Sequence, residues 1–90
     1  MLFRSVAQPD GHVELVRAGD ERLATAGSGD VLSGIITALL CRGMNPGPAA
    51  VTAATVHGCA ALRGRRRGLM AGDLLPLVAD VLSEWENDQL

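Results

Sequence analysis

Aromatic residues are nearly absent from this 90-residue chain, which has one Phe, one Trp and no Tyr although 48% of it is hydrophobic. Its apolar content is therefore Ala, Val, Leu and Ile. That suits close-packed helices and strands inside an α/β protein and excludes a stacking surface for bases or glycans. A strong charge of either sign is lacking too: the formal net charge is −2, so no overall field draws nucleic acid or an anionic membrane, and neither is expected as a partner. Cysteines are few, and Cys41 and Cys59 form no CxxC or CxxH spacing. They read as buried thiols of a reducing compartment rather than as metal ligands or a disulfide. The opening stretch MLFRSVAQPDGHVELV has a single Arg and no apolar run long enough for a signal peptide, so a cytoplasmic protein is expected.

Length permits one small domain. Leu2–Ala7 and His12–Arg17 are short β-prone runs separated by Gln8-Pro9-Asp10-Gly11, and a Pro-Asp-Gly turn between such runs predicts a hairpin. Ala18–Ala26 reads as a loop. Val31, Leu32, Ile35, Ile36, Leu39 and Leu40 then recur with helical period in a run, Val31–Cys41, that has no charged residue. The residues between them are small, which predicts a helix covered nearly all round and stopped by a left-handed Gly43. Asn45-Pro46 predicts a second start, with Asn as cap and Pro at the first helical position. Pro46–Leu62 is Ala-rich, carries no formal charge with His57 neutral, and is too interrupted by Gly, Pro, Thr and His for a membrane span. A largely buried helix is expected there. A third, amphipathic helix begins at or near Asp73, with Leu74, Leu77, Val78, Val81 and Trp85 on its core face and Asp80, Glu84 and Glu86 elsewhere.

Two helices with almost no solvent face need cover on several sides, yet the remaining chain offers one hairpin and one amphipathic helix. Burying them takes more protein than 90 residues contain. A piece of a larger domain, or an obligate partner that includes a second copy, is therefore expected.

Chemistry concentrates in Gly27-Ser28-Gly29-Asp30, immediately before the uncharged helix. Backbone N–H groups at a helix N-terminus are unsatisfied and partly positive, so they bind anions. Glycines at 27 and 29 let that backbone approach a phosphate without side-chain obstruction and can shape a nest of N–H groups. A carboxylate beside an anion site needs its own reason. Asp30 is a candidate general base or hydroxyl anchor beside a phosphoryl-transfer locus. The competing structural reading is that Ser28 or Asp30 simply caps the helix.

The longer run LATAGSGDVLSGIITALL closely resembles the signature of the ADP-dependent NAD(P)H-hydrate dehydratases, a branch of the ribokinase-like superfamily. Gly43-Met44-Asn45-Pro46 with Ala49-Ala50, then Val56-His57-Gly58, then Gly68-Leu69-Met70-Ala71-Gly72-Asp73-Leu74 look like its successive elements, so the resemblance spans about Pro9 to Leu82. It implies the C-terminal third of a ribokinase-like α/β fold, a β-hairpin followed by three helices, with the N-terminal two thirds of the domain and its central sheet absent and Met1 falling mid-sheet. It implies a lyase that repairs hydrated NADH or NADPH with ADP or ATP, though an isolated chain of this extent is expected to lack a complete active site. By the same resemblance Gly29 matches the glycine whose backbone meets the nucleotide phosphates, Gly27 and Ser28 the rest of the anion hole, and Asp30 the acidic residue at the hydrated nicotinamide. Gly19-Asp20 departs from the Gly-Asn often found there. Mg²⁺ suits a reaction on phosphates, but no ligand set for a metal is legible.

Other readings stay open: a kinase of a small alcohol such as a hydroxymethylpyrimidine, or a non-catalytic remnant or oligomerising module whose uncharged helices self-associate. His57 reads as a packing histidine first and a pocket residue second. Arg63, Arg65, Arg66 and Arg67 read as a solvated loop before a phosphate clamp. Asp73 reads as a helix cap.

Overall fold

The computed structural model describes residues 3–24 and 26–88; Met1, Leu2 and Thr25 lie outside the described residues, as does the side chain of Glu86. An antiparallel hairpin of β1 (Phe3–Ala7) and β2 (Val13–Arg17) is followed by α1 (Ser28–Cys41), α2 (Pro46–Arg63) and α3 (Leu74–Asp88). Short 3-10 turns at Glu21–Leu23 and Ala71–Asp73 precede α1 and α3. The hairpin closes as the Pro-Asp-Gly signal predicts, with Gly11 left-handed at φ 90° and register pairs running from Phe3 with Arg17 to Ala7 with Val13. That register puts Arg4 opposite Val16, and Val16 is the buried residue of β2. Alternation along the strand therefore aims Arg4 toward the core face.

α2 is the hub: the hairpin, the first 3-10 turn, α1 and α3 all pack on it. Its buried residues include Ala49, Ala53, Ala54, Val56, Ala60 and Ala61, most of them too short to hold neighbours at a distance. Val56, Val81 and Leu74 are fully buried, each burial contributing about 1.5–3 kcal/mol. Leu69 brings the loop after α2 back onto this core, over Gly64, where an added Cβ would meet the Leu69 side chain at 2.6 Å.

Gly43 stops α1 at φ 94°, and Pro46 opens α2, as expected. Asn45 stands at the cap position but its side chain makes no capping bond. α3 buries Leu74, Val78 and Val81, with Leu77 and Trp85 packed beside them. Other expectations need correcting. α1 is not covered all round: it buries only Ser28, Ile35 and Leu39, because α1 and α3 both dock on α2 and leave a groove between them. Cys41 is exposed and Cys59 half-buried, so neither is a core thiol. The Ala18–Ala26 loop contains the first 3-10 turn, capped by the Asp20 carboxylate, which accepts the Arg22 N–H at 3.0 Å. Among the described residues no helix is long and apolar enough to cross a membrane.

Glycines mark where packing is closest. At Gly58 in α2 an added Cβ would stand 2.5 Å from the carbonyl carbon of Ala18, whereas at Gly34 in α1 it would meet nothing within 4 Å. Both gain helix propensity on becoming Ala, so geometry decides the sign. Gly34→Ala is expected to stabilise the chain by about 0.5–1 kcal/mol, and Gly58→Ala to destabilise it by roughly 1–3 kcal/mol through overpacking. Urea or thermal melts of the two variants check both.

Candidate functional site

Gly27 is the cap residue of α1 and adopts φ 87°, the left-handed region that favours glycine. Its carbonyl takes the N–H groups of Asp30 at 3.1 Å and Val31 at 3.2 Å, closing the first turn. The N–H groups of Ser28 and Gly29 have no intrahelical acceptor, as at every helix start, and carry the positive end of the macrodipole. Gly27 and Gly29 are both exposed. An anion can therefore approach this backbone, and the space around Gly29 is open to 4 Å.

Neither candidate side chain caps the helix. Asp30 is exposed, and its carboxylate makes no hydrogen bond or ion pair with the described residues. It lies on the lining of the groove between α1 and α3, about 480 Å³ and otherwise apolar apart from Arg42 at the far end of α1. Ser28 points the other way. Its hydroxyl is buried and lies 3.2 Å from His57 Nε2, while His57 Nδ1 lies 2.8 Å from Arg4 Nη1. Arg4 carried no signal in the motif-based reading. Its place in the alternation, two residues before Val6 and opposite a core strand residue, is what brings it to His57.

Three segments singled out in the sequence converge here. The Ala71–Asp73 turn lies over Gly27, whose added Cβ would come 3.2 Å from the Ala71 Cβ. His57 lies beneath Ser28, and the adjacent Gly58 admits Ala18. Asp73 stands immediately before α3. Its carboxylate accepts the Met70 N–H at 2.9 Å, the capping contact at the start of the Ala71–Asp73 turn that leads into the helix, and lies 3.8 Å from Arg65. The arginine loop is exposed but tied. Arg66 meets Glu21 at 2.9 Å and Asp20 at 4.0 Å, and Arg63 forms a two-pronged pair with Glu84. That contact raises the Arg63 pKa and lowers that of Glu84. Asp20 is turned to Arg22 and Arg66 and lies outside the Gly27–Asp30 turn. Among the described residues no three His, Cys, Asp or Glu side chains gather to hold a metal ion.

A family model described as NAD(P)H-hydrate dehydratase matches residues 4–83. The bifunctional NAD(P)H-hydrate repair enzyme Nnr of Moorella thermoacetica is 47% identical over 87 residues, which covers 92% of this chain and 16% of that protein. An ADP-dependent (S)-NAD(P)H-hydrate dehydratase of Neisseria meningitidis is 45% identical over 76 residues, covering 79% of this chain and 26% of that protein. The Nnr repair enzyme of Escherichia coli is 37% identical over 87 residues, 92% of this chain and 17% of that protein. The chain thus spans roughly a sixth to a quarter of the length of these curated relatives.

His57 is 1% exposed. Burial first, and the Arg4 guanidinium second, hold its pKa down from 6.5 to about 4, partly opposed by hydrogen bonding to the Ser28 backbone. Between those values the unfolded chain binds more protons than the folded one. Stability therefore rises with pH across the window, is complete above pH 6.5 and is lost as pH falls toward 4. The difference corresponds to about 3 kcal/mol. Melts recorded from pH 7 to pH 4 are expected to show this slope, and His57→Gln, which cannot titrate, is expected to flatten it.

Proposed function

The chain belongs to the NAD(P)H-hydrate dehydratase family, and from that premise we propose that it carries the anion-binding turn and the acidic residue of a nucleotide-dependent dehydration of hydrated NADH or NADPH. One observation supports this reading above the others: an exposed Asp30 carboxylate, without a hydrogen bond or ion pair among the described residues, directly follows the open Gly27–Gly29 backbone at the start of a helix. The relative named as ADP-dependent makes ADP the first nucleotide to consider, with ATP the alternative.

In this reading the N–H groups at Ser28 and Gly29, with the helix dipole behind them, hold the terminal phosphate. The left-handed Gly27 shapes the turn, and Gly29 keeps the approach clear. Asp30 anchors the substrate hydroxyl on its carboxylate and accepts its proton as that oxygen attacks the phosphorus. The nucleotide supplies its terminal phosphoryl group: the P–O bond behind it breaks and AMP leaves from ADP (or ADP from ATP). The substrate's hydroxyl, a poor leaving group, becomes a phosphate ester whose phosphate is a good one. Elimination of phosphate, driven by the ring nitrogen lone pair with loss of a ring proton, restores the dihydronicotinamide. Asp30 fits this division of labour because, among the described residues, no structural contact consumes its carboxylate. The groove it borders is apolar apart from Asp30 and Arg42 and so lacks most of the polar groups that would orient a dinucleotide. Those groups are assigned to the remaining length that the relatives possess. The ribokinase-like architecture of the complete domain belongs to the same proposal.

A thermal-shift titration of the purified chain with ADP and ATP tests the anion site. Stabilisation growing with nucleotide concentration is expected, about 2.7 kcal/mol at one hundred times the Kd. Asp30→Asn is expected to keep that stabilisation or increase it, since a negative charge leaves the neighbourhood of the phosphate. In any active assembly containing these 90 residues it is expected to lower turnover of hydrated NADH by roughly a hundredfold or more. Wild-type turnover by Asp30→Asn would remove the residue from the chemistry.

A further inference from the structure

Ser28 and His57 are the two buried polar side chains among the described residues, 5% and 1% exposed, and they are bonded to each other. A serine–histidine pair at this distance invites comparison with hydrolytic nucleophiles, where a carboxylate on the far ring nitrogen makes the histidine a base. Here the far nitrogen faces an arginine, and the polarity reverses. A guanidinium has five N–H donors and no acceptor. Arg4 Nη1 therefore donates the 2.8 Å bond, and His57 Nδ1 must be the bare, accepting nitrogen. A neutral imidazole with a bare Nδ1 carries its proton on Nε2. That Nε2–H donates to Ser28 Oγ across 3.2 Å. The opposite tautomer, or an imidazolium, would set N–H against N–H at Arg4.

The consequence falls on Ser28. With Oγ accepting from His57, its own hydroxyl proton remains unspent, and the hydroxyl makes no other hydrogen bond among the described residues. Ser28 is the first residue of α1, at the turn read above as the phosphate site. We propose that Arg4 and His57 form a positioning relay that fixes the Ser28 hydroxyl as a hydrogen-bond donor to a nucleotide phosphate at the α1 N-terminus. This rests on the nucleotide-site reading and adds a side-chain donor to its backbone N–H groups. A positive charge behind the imidazole polarises Nε2–H, which in turn makes the Ser28 O–H a stronger donor. His57 and Arg4 touch no substrate in this scheme. They act through Ser28.

The tautomer can be read directly in the purified wild-type chain from the imidazole nitrogen resonances of His57, with the exposed His12 as internal comparison. A bare Nδ1 and a protonated Nε2 at pH 7 are expected, and an Nδ1–H form or an imidazolium overturns the relay. ADP affinity then tests its purpose. Ser28→Ala and His57→Leu are each expected to weaken ADP by about tenfold. His57→Gln, whose amide N–H reaches toward the Nε2 position, is expected to recover most of that loss, which a merely space-filling role would not require. Circular dichroism confirms that each variant is folded, and the resonance measurement needs no variant. Wild-type ADP affinity in both Ser28→Ala and His57→Leu overturns the relay and leaves the nucleotide site standing. A wild-type chain that ADP does not stabilise overturns both readings.

Discussion

Close approach to one helix is the constraint on which this structure depends. The hairpin, the first 3-10 turn, α1 and α3 all seat on α2, and they can do so at once because α2 presents Ala and Gly where they meet it. Small side chains let backbones approach, and distances between packed elements follow the side chains at the contact. Had α2 carried leucines at 53, 54, 60 and 61, each neighbour would stand further off. The reach from Arg4 on a strand, through His57, to Ser28 on another helix would then open. The polar chain under the Gly27–Asp30 turn is thus a by-product of alanine packing. The helix that looks least chemical in composition is the one that sets the geometry of the turn.

Around that hub the charges are sorted by depth. Arg4 and His57 are drawn inward, where burial pushes the pKa of each downward. The acidic groups near the turn are divided between two tasks. Asp20 and Asp73 are occupied in holding backbone and arginines, whereas Asp30 has no such employment among the described residues. Three aspartates of similar sequence appearance therefore differ in what they are free to do. The difference is set by turn geometry rather than by residue type.

Much of this was legible in the residues. The Pro-Asp-Gly hairpin, the left-handed stop at Gly43, the Pro46 helix start and the Leu74–Trp85 stripe follow from local stereochemistry and period, which act over a few residues. The misreadings were non-local. Uncharged α1 was expected to be covered on all sides, but period and composition report only what a helix tolerates, and not whether a neighbour exists. Cys41 was placed in the core for the same reason. Gly27-Ser28-Gly29-Asp30 carries the expectation of an anion turn, while the burial of the Ser28 hydroxyl against His57 depends on what lies beneath it and is not local. Arg4 was invisible because its role depends on strand register and on a histidine 53 positions away. The signal that existed was a lone histidine in an otherwise uncharged helix, which under burial needs partners for two ring nitrogens.

The scarcity of aromatics has an optical consequence. With no Tyr in the chain, nearly all its near-ultraviolet emission comes from the single indole of Trp85. That ring packs half-buried against the core near the end of α3, and α3 is held chiefly by its seat on α2. The colour of the emitted light therefore reports one mechanical event, the seating or lifting of the last helix, with no background from elsewhere in the molecule.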